Sequence, residues 1–384
     1  MARETPPIPI GPEGPIGMKR HLAAIAGASL ALVLSTPAFA DITIGIAGPM
    51  TGENAVFGQQ IRTGVEQAIE DINAAGGVNG EKLVAKVGDD ACDPKQAVNV
   101  ANQLAGDGAK VVIGHYCSGS SIPASAVYAE EGVIQISPAS TNPAYTDKRP
   151  DGGTTYRVCG RDDQQGGIAG NYILEKYKGK KVAVVDDRSS YGKGLADETR
   201  KVYEAAGQKP VLVESIAAGE KDYSALVSKL KQAGAEVVYF GGYYQQAGLI
   251  VRQMRDQGVN AILMGGDALQ SSEFLGITGK GGEGTMFTFP PDQRKLSEAA
   301  EVVKKLKAKK FEPEGFTLYS YAALQIWAAA ANAAKSTEGE AVKAEMDKQE
   351  FKTVAGPIKF DAKGDPTVAG FVFYEFKNGT YEQM

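Results

Sequence analysis

From Asp41 onward the chain alternates short runs of β-branched and aliphatic residues with longer stretches whose apolar positions repeat at helical spacing. That rhythm predicts parallel sheets built from strand–helix–strand units. A first strand is predicted over Ile42 to Ile46. The helix after it carries Ile61, Val65, Ala68, Ile69 and Ile72 on one face and stops at Gly76-Gly77. A second strand, Leu83 to Val87, leads to a helix with Asp93 as N-cap, Pro94 at its first position and Gln96 completing a pattern like a capping box. Two more units start at Val111 and Val133. A second series runs through Val182 to Val185, Val211 to Val213, Val237 to Phe240 and Ile262 to Gly265, with Asp222 capping a helix whose buried stripe is Tyr223, Leu226, Val227 and Leu230. Beyond about Phe289 come further helices, notably Thr317 to Lys335, and strands at Pro357 to Phe360 and Phe371 to Phe376, expected to cross back between the two halves.

The two series match each other locally. A strand, a loop, an aromatic residue, a glycine and a helix follow in order from Ile46 to Phe57-Gly58 and again from Val185 to Tyr191-Gly192; the third strands end as Gly114-His115-Tyr116 and Gly241-Gly242-Tyr243. The expected fold is therefore α/β, with two Rossmann-like lobes of parallel sheet joined by several crossings. One lobe would comprise residues 41–160 plus about 290–367, the other 161–289 plus about 368–384. Open parallel sheets bind ligands beyond the carboxyl ends of their strands, so facing lobes would bring both rims onto one cleft.

The segment before Asp41 changes the picture of where the chain works. From Met18 it reads as a secretory leader: Lys19 and Arg20, an apolar run from Leu22 to Leu34, then Ala38-Phe39-Ala40 as a cleavage site. Residues 1–17, rich in Pro and Gly, are set apart as an extension outside the fold. The apolar run is too short to span a bilayer, and no cysteine sits at the junction for lipid attachment, so a free periplasmic protein is expected. The length suits two domains. A formal net charge of −5, from 41 Lys and Arg against 46 Asp and Glu, argues against a nucleic-acid partner, which needs clustered cations.

There are three cysteines, Cys92, Cys117 and Cys159. In an oxidising compartment a pair should be bridged. Cys92 and Cys117 each follow a strand, and adjacent parallel strands would bring them together, so that pair is predicted, with Cys159 a buried free thiol. Chemistry finds little support. Only His115 remains after the leader is removed, which speaks against a His-dependent triad or a multi-His metal site. No cofactor and no metal are expected. Gly279, Gly281 and Gly284 form a G-x-G-x-x-G, but it leads into a strand, Thr285 to Pro290, and not into a helix that could hold a pyrophosphate. The acid pairs Asp89-Asp90 and Asp186-Asp187 are read as strand-end residues that bond their own loops.

What remains is a binding constellation. Ser118-Gly119-Ser120-Ser121 opens a helix after a strand, where amides and hydroxyls gather around an anion. Pro138-Ala139-Ser140-Thr141 follows the next strand and adds a carbonyl, a hydroxyl and further amides at the same rim.

Three stretches, Gly88 to Ala97, Val112 to Ser118 and Ala218 to Tyr223, closely resemble the branched-chain amino-acid binding proteins of bacterial ABC importers, of the leucine/isoleucine/valine type. The resemblance covers essentially all of the chain after the leader. It implies a type I periplasmic binding protein fold, closure of two lobes about a hinge, a small amino-acid ligand, a membrane permease as partner, a monomer, and no enzymatic activity. By position it implies Ser118 and the amide of Thr141 for the ligand carboxylate. For the ammonium it implies the Ala139 carbonyl, the Thr141 hydroxyl and Asp267, with Ser140 in the same loop. The aromatic wall would be Phe57, Tyr191, Tyr243 and Phe316, with Tyr116 beside it, and the family's disulfide coincides with Cys92 and Cys117. Two positions depart from the family: Gly265-Gly266-Asp267-Ala268 stands where a Glu is usual, and Phe57 replaces a Tyr. They leave alanine, proline, valine and γ-aminobutyrate open as ligands beside leucine. A ligand-sensing receptor and an amidase-type hydrolase are the alternative functions. The basic run Lys304, Lys305, Lys307, Lys309 and Lys310 reads as a solvated helix face, with permease docking as its other reading.

Overall fold

A computed structural model describes residues 41–150, 153–368 and 370–384, together with Pro7, Pro9 and Gly11. The expected leader and most of the N-terminal extension lie outside the described residues.

The first series forms β1 (Ile42–Gly48), α1 (Ala55–Ala74), β2 (Leu83–Asp89), α2 (Pro94–Gly106), β3 (Val111–Ile113), α3 (Ser118–Glu130), β4 (Ile134–Ser137), the short α4 (Ala144–Asp147) and β5 (Thr155–Arg157). Its five strands are parallel in the order β2-β1-β3-β4-β5, with Ile44 opposite Val111 and Ile113 opposite Ile136. The central strands β3 and β4 are buried along their whole length, as a sheet covered on both faces requires. Edge strand β2 exposes Val87.

The second series forms α5 (Asp162–Lys176), β6 (Val182–Asp186), α6 (Ser190–Ala205), β7 (Leu212–Ser215), α7 (Ser224–Ala233), β8 (Val237–Gly241), α8 (Tyr244–Asp256), β9 (Ile262–Gly265), α9 (Glu273–Thr278) and β10 (Met286–Phe289). The remaining elements are α10 (Ala300–Ala308), α11 (Thr317–Ala334), α12 (Gly339–Lys348), β11 (Phe351–Thr353), β12 (Gly356–Ile358), β13 (Val372–Lys377) and β14 (Thr380–Gln383). Seven strands make the second sheet, β14-β13-β10-β9-β8-β6-β7. The five from β7 to β10 repeat the strand order of the first sheet; β13 and β14 join antiparallel. The 3-10 turn over Gly279–Gly282 leads into β10, so the glycine motif opens a strand, as its sequence context indicates.

The tail divides between the sheets. Helix α11 lies along α1: a Cβ on Gly64 would land on the Thr317 carbonyl, so the absent side chain lets the two backbones approach. Strands β11 and β12 make a separate hairpin, while β13 and β14 complete the second sheet. The chain thus passes between the lobes after β5, after β10 and before β13. Among the described residues no helix is long and apolar enough to cross a membrane.

Local details refine the sequence reading. Asp93 accepts the amides of Lys95 and Gln96 at 2.9 and 2.8 Å, the expected cap. Gln96 does not close a capping box; its amide group donates to the Asp89 carbonyl at 2.7 Å. Asp222 accepts the Ser224 amide at 2.9 Å at the start of α7. The lysine run meets acids: Lys305 pairs with Asp71 at 2.8 Å and Lys309 with Glu70 at 2.6 Å, both on α1.

Cys92 and Cys117 are disulfide-bonded, with Cα atoms 5.6 Å apart, and Cys159 is a buried free cysteine. The strands they follow are not neighbours, because β1 lies between β2 and β3; the bond spans the end of β1. Ala91 and Cys92 both sit in the left-handed region, at φ 45° and 60°. Asp89 and Asp90 accept the amides of Ala91 and Cys92 at 2.9 and 2.8 Å and hold this turn. Closing 25 residues of chain should stabilise the fold by about 3 kcal/mol through the unfolded state. Urea denaturation of the reduced protein, or of the double variant Cys92→Ala/Cys117→Ala, is expected to show that loss; equal midpoints for oxidised and reduced protein would contradict it.

Candidate functional site

Because both sheets share one strand order, each reverses direction at an equivalent point, beside β1 in one and β6 in the other. Five rim segments converge there, those after β3 and β4 and those after β6, β8 and β9, together with the turn before α11. They surround a space lined by Tyr116, Ser118, Ala139, Tyr191, Tyr243, Asp267, Ala268 and Phe316. This space is only about 10 Å³, no more than about one water sphere, too small for an amino acid as the lobes stand.

One end of the space is acidic. Asp267 follows β9, is 2 % exposed, and accepts the Tyr191 hydroxyl at 2.7 Å. Gly266 makes this contact possible: a Cβ there would meet Leu195 and the Tyr191 hydroxyl. Burial pushes the Asp267 carboxyl up to about 6, against the Tyr191 bond, which lowers it. Asp162, the first residue of α5, is fully buried, and the Thr141 hydroxyl is the side-chain group that faces its carboxyl. Burial, and then the charge of Asp267, push Asp162 well above the usual carboxylate range. Its amide donates to the Thr141 carbonyl at 2.9 Å. Asp162 escapes a reading of the sequence because an acid in a helix's first turn is the ordinary complement to the helix dipole.

The other end offers donors. Ser118 starts α3, where the leading amides of a helix have no partner within it, and its hydroxyl accepts the Asn142 amide at 3.3 Å. The loop after β4 is fixed from behind by the fully buried Arg157. Its guanidinium donates to the carbonyls of Ser140 at 2.6 Å and Asn142 at 3.0 Å, on either side of Thr141. It also meets Asp365 at 2.6 Å. Asp365 lies on the last crossing between lobes and takes Arg161 of the first crossing at 2.8 Å. The site loop and two hinge strands therefore share one buried network.

The candidate residues from the sequence fall into three groups. Tyr116, Ser118, Ala139, Tyr191, Tyr243, Asp267 and Phe316 line the space. Phe57 stands one layer behind, stacked on Tyr116 with centroids 4.4 Å apart, and Thr141 is buried at the acidic end. Ser140 turns its hydroxyl into the loops, bonding Ser121 at 2.6 Å and the Tyr116 carbonyl at 3.0 Å. Ala268 and Asp162 were not singled out in the sequence. His115 is occupied elsewhere, with its ring nitrogens 2.5 Å from Asp90 and 3.1 Å from the Tyr128 hydroxyl, all buried. Among the described residues no group of three or more His, Cys, Asp or Glu could hold a metal ion.

The closed form is tied across the cleft away from the site. The Glu53 carbonyl takes Gln245 at 2.6 Å and its carboxylate takes Gln246 at 2.8 Å and Lys221. Glu314 takes Ser272 at 2.9 Å and Tyr381 at 3.0 Å. Asn142 donates to the Ser190 carbonyl at 2.6 Å.

Comparison with known proteins agrees with this geometry. The profile of the periplasmic binding protein family matches residues 41–380. A Leu/Ile/Val-binding protein homolog of Brucella melitensis biotype 1 is 52% identical over 357 residues, 92% of this chain and 96% of its own length. Among solved structures, a leucine-binding protein from Thermotoga maritima superposes with a TM-score of 0.82 at 26% identity, over 89% of this chain and 97% of that one. A branched-chain amino-acid transporter substrate-binding protein from Streptococcus pneumoniae, in complex with isoleucine, gives 0.81 at 28% identity, over 90% and 99%.

A carboxyl held at about 6 keeps its proton more tightly in the folded chain than at its ordinary 3.8. Between those values the native state carries a proton the unfolded state has lost, so the Asp267 contribution to stability falls as pH rises through that window and stays lost above it. Asp267→Asn is therefore expected to raise the Tm of the ligand-free protein at pH 7 by about 2–4 °C and to change it little at pH 4. A lower Tm at pH 7 would contradict this account.

Proposed function

The chain belongs to the periplasmic binding protein family, and on that premise we propose that it captures a small aliphatic amino acid between its lobes, closes on it by hinge motion, and presents it to the membrane permease of an ABC importer. The observation that carries this reading is Asp267, buried in the wall of the same space as Ser118 at the start of α3, with Asp162 buried within reach of its charge. A zwitterion fits such a polarity, with its ammonium among acceptors and its carboxylate among donors. Asp162 favours its neutral form, so the acid pair brings one negative charge to meet one positive charge. The aromatic wall of Tyr116, Tyr243 and Phe316 suits an apolar side chain. The relatives' names and the isoleucine complex support a branched-chain ligand; the shorter Asp267 keeps alanine, proline, valine and γ-aminobutyrate in the set to be tried.

In this reading the chain acts as a monomer without catalysis, after export and cleavage near Ala40. The lobes comprise 41–160 with about 290–367, and 161–289 with about 368–384. Support for that division comes from α11 packing on α1 and from β13 and β14 pairing in the second sheet.

One or more of these amino acids at millimolar concentration is expected to raise the Tm by several degrees, since a ligand at a thousand times its Kd adds about 4 kcal/mol. Asp267→Ala should abolish the rise. If no amino acid shifts the Tm of the wild type, the reading fails. Affinity should also depend on pH. The ammonium needs Asp267 ionised, and its carboxyl sits near 6 in the free protein. Calorimetric titration should therefore show an affinity that is flat above pH 7 and falls about tenfold per pH unit well below 6. An affinity independent of pH down to 4.5 would rule Asp267 out as the ammonium partner.

A further inference from the structure

The cleft does not end at the amino-acid site. A second cavity of about 520 Å³ opens on the far side of Tyr243, whose ring is part of both walls. On one flank it has Asn54 and the Cys92–Cys117 disulfide; on the other it has Asp187, Ser189 and Gln246. Three of its side chains present buried, unpaired acceptor oxygens. Asp187 is 2 % exposed; one carboxyl oxygen takes the Ser189 amide and hydroxyl at 2.9 and 2.6 Å, while the other has no partner. Gln246 is 4 % exposed and gives its amide nitrogen to Glu53, which leaves its carbonyl oxygen unpaired. The Asn54 carbonyl oxygen is likewise buried and unpaired. All three are acceptors. Of the cations, Arg188 is an exposed residue of the cavity lining and reaches the Ser215 carbonyl at 3.4 Å, while Lys221 pairs with Glu53, which also lines the cavity. Buried acceptors without donors are costly, and an ionised carboxylate is the costliest of them.

We propose that this outer cavity is a subsite for the side-chain ammonium of a basic amino acid such as lysine or ornithine, with Asp187 as its counter-charge and Gln246 as a second acceptor. The proposal rests on the amino-acid reading of the inner site and extends its ligands from small aliphatic side chains to a longer basic one. There the α-ammonium and carboxylate are held, and the methylene chain runs past Tyr243 to Asp187. The phenol of Tyr243 is pushed up by burial and then by the charges of Asp187 and Asp267, so both acids act on that one ring from the two cavities. A single ligand spanning them would neutralise both.

Isothermal titration with lysine and with norleucine, which has the same side-chain length without the amine, tests this on the full exported chain. Lysine is expected to bind at least tenfold more tightly than norleucine, and Asp187→Asn should bring that ratio to about one. The ratio in wild-type protein decides the matter even where the variant does not fold, and Gln246→Leu, expected to lower it by a smaller factor, is a second variant. If norleucine or leucine binds and lysine binds no tighter, the outer subsite is refuted while the inner site stands. If no amino acid binds at all, the reading beneath it falls as well.

Discussion

Two carboxyl groups, Asp162 and Asp267, are buried within reach of each other's charge, neither in a salt bridge among the described residues, and the rest of the architecture can be understood from that constraint. Charge taken out of water without a partner is among the least favourable arrangements a fold can contain. Asp267 stands in the wall of the space between the lobes, so a positive group placed there would offset that cost. Ties such as Glu53 with Gln246 and Glu314 with Ser272 join the lobes away from this place.

The duplicated sheets make such a cleft easy to build. Each lobe alone offers a strand-end rim with a few amides, hydroxyls and an acid, none of them unusual. Facing one another, the two rims supply opposite polarities at a spacing that neither could provide alone. Arg157 ties this geometry to the hinge: one guanidinium grips the carbonyls on both sides of Thr141 and the carboxylate of Asp365. Closure therefore moves the loop after β4 and the last crossing as one body. The same rigidity explains why Ser140, though beside the site, serves the scaffold: its hydroxyl is used up in joining three loops.

Most of the fold could be read from the chain because its signals are local. Runs such as Val111 to Ile113 and Val237 to Phe240 are too apolar for an edge and too short for a helix. Asp93-Pro94 announces a helix without any tertiary information. Features set by tertiary contacts were harder. Strand β5 has only three residues and is specified by pairing with β4. The disulfide was anticipated, yet through neighbouring strands, whereas β1 intervenes. Gln96 has the residue type of a capping box but finds a better acceptor in Asp89. At the site, Ser118, Ala139 and Asp267 stand out through motif and position. Asp162 does not, because only its burial near Asp267 in the folded chain separates it from an ordinary helix-start acid.

The packing of α11 on α1 bears on how the chain comes into being. The apolar face of α1, which emerges among the first elements after Asp41, has its covering helix some 250 residues later, beginning at Thr317. Until that helix has been synthesised, the first sheet has one face open and no complete core. A chain threaded through a membrane from its N-terminus would then meet little resistance from premature folding.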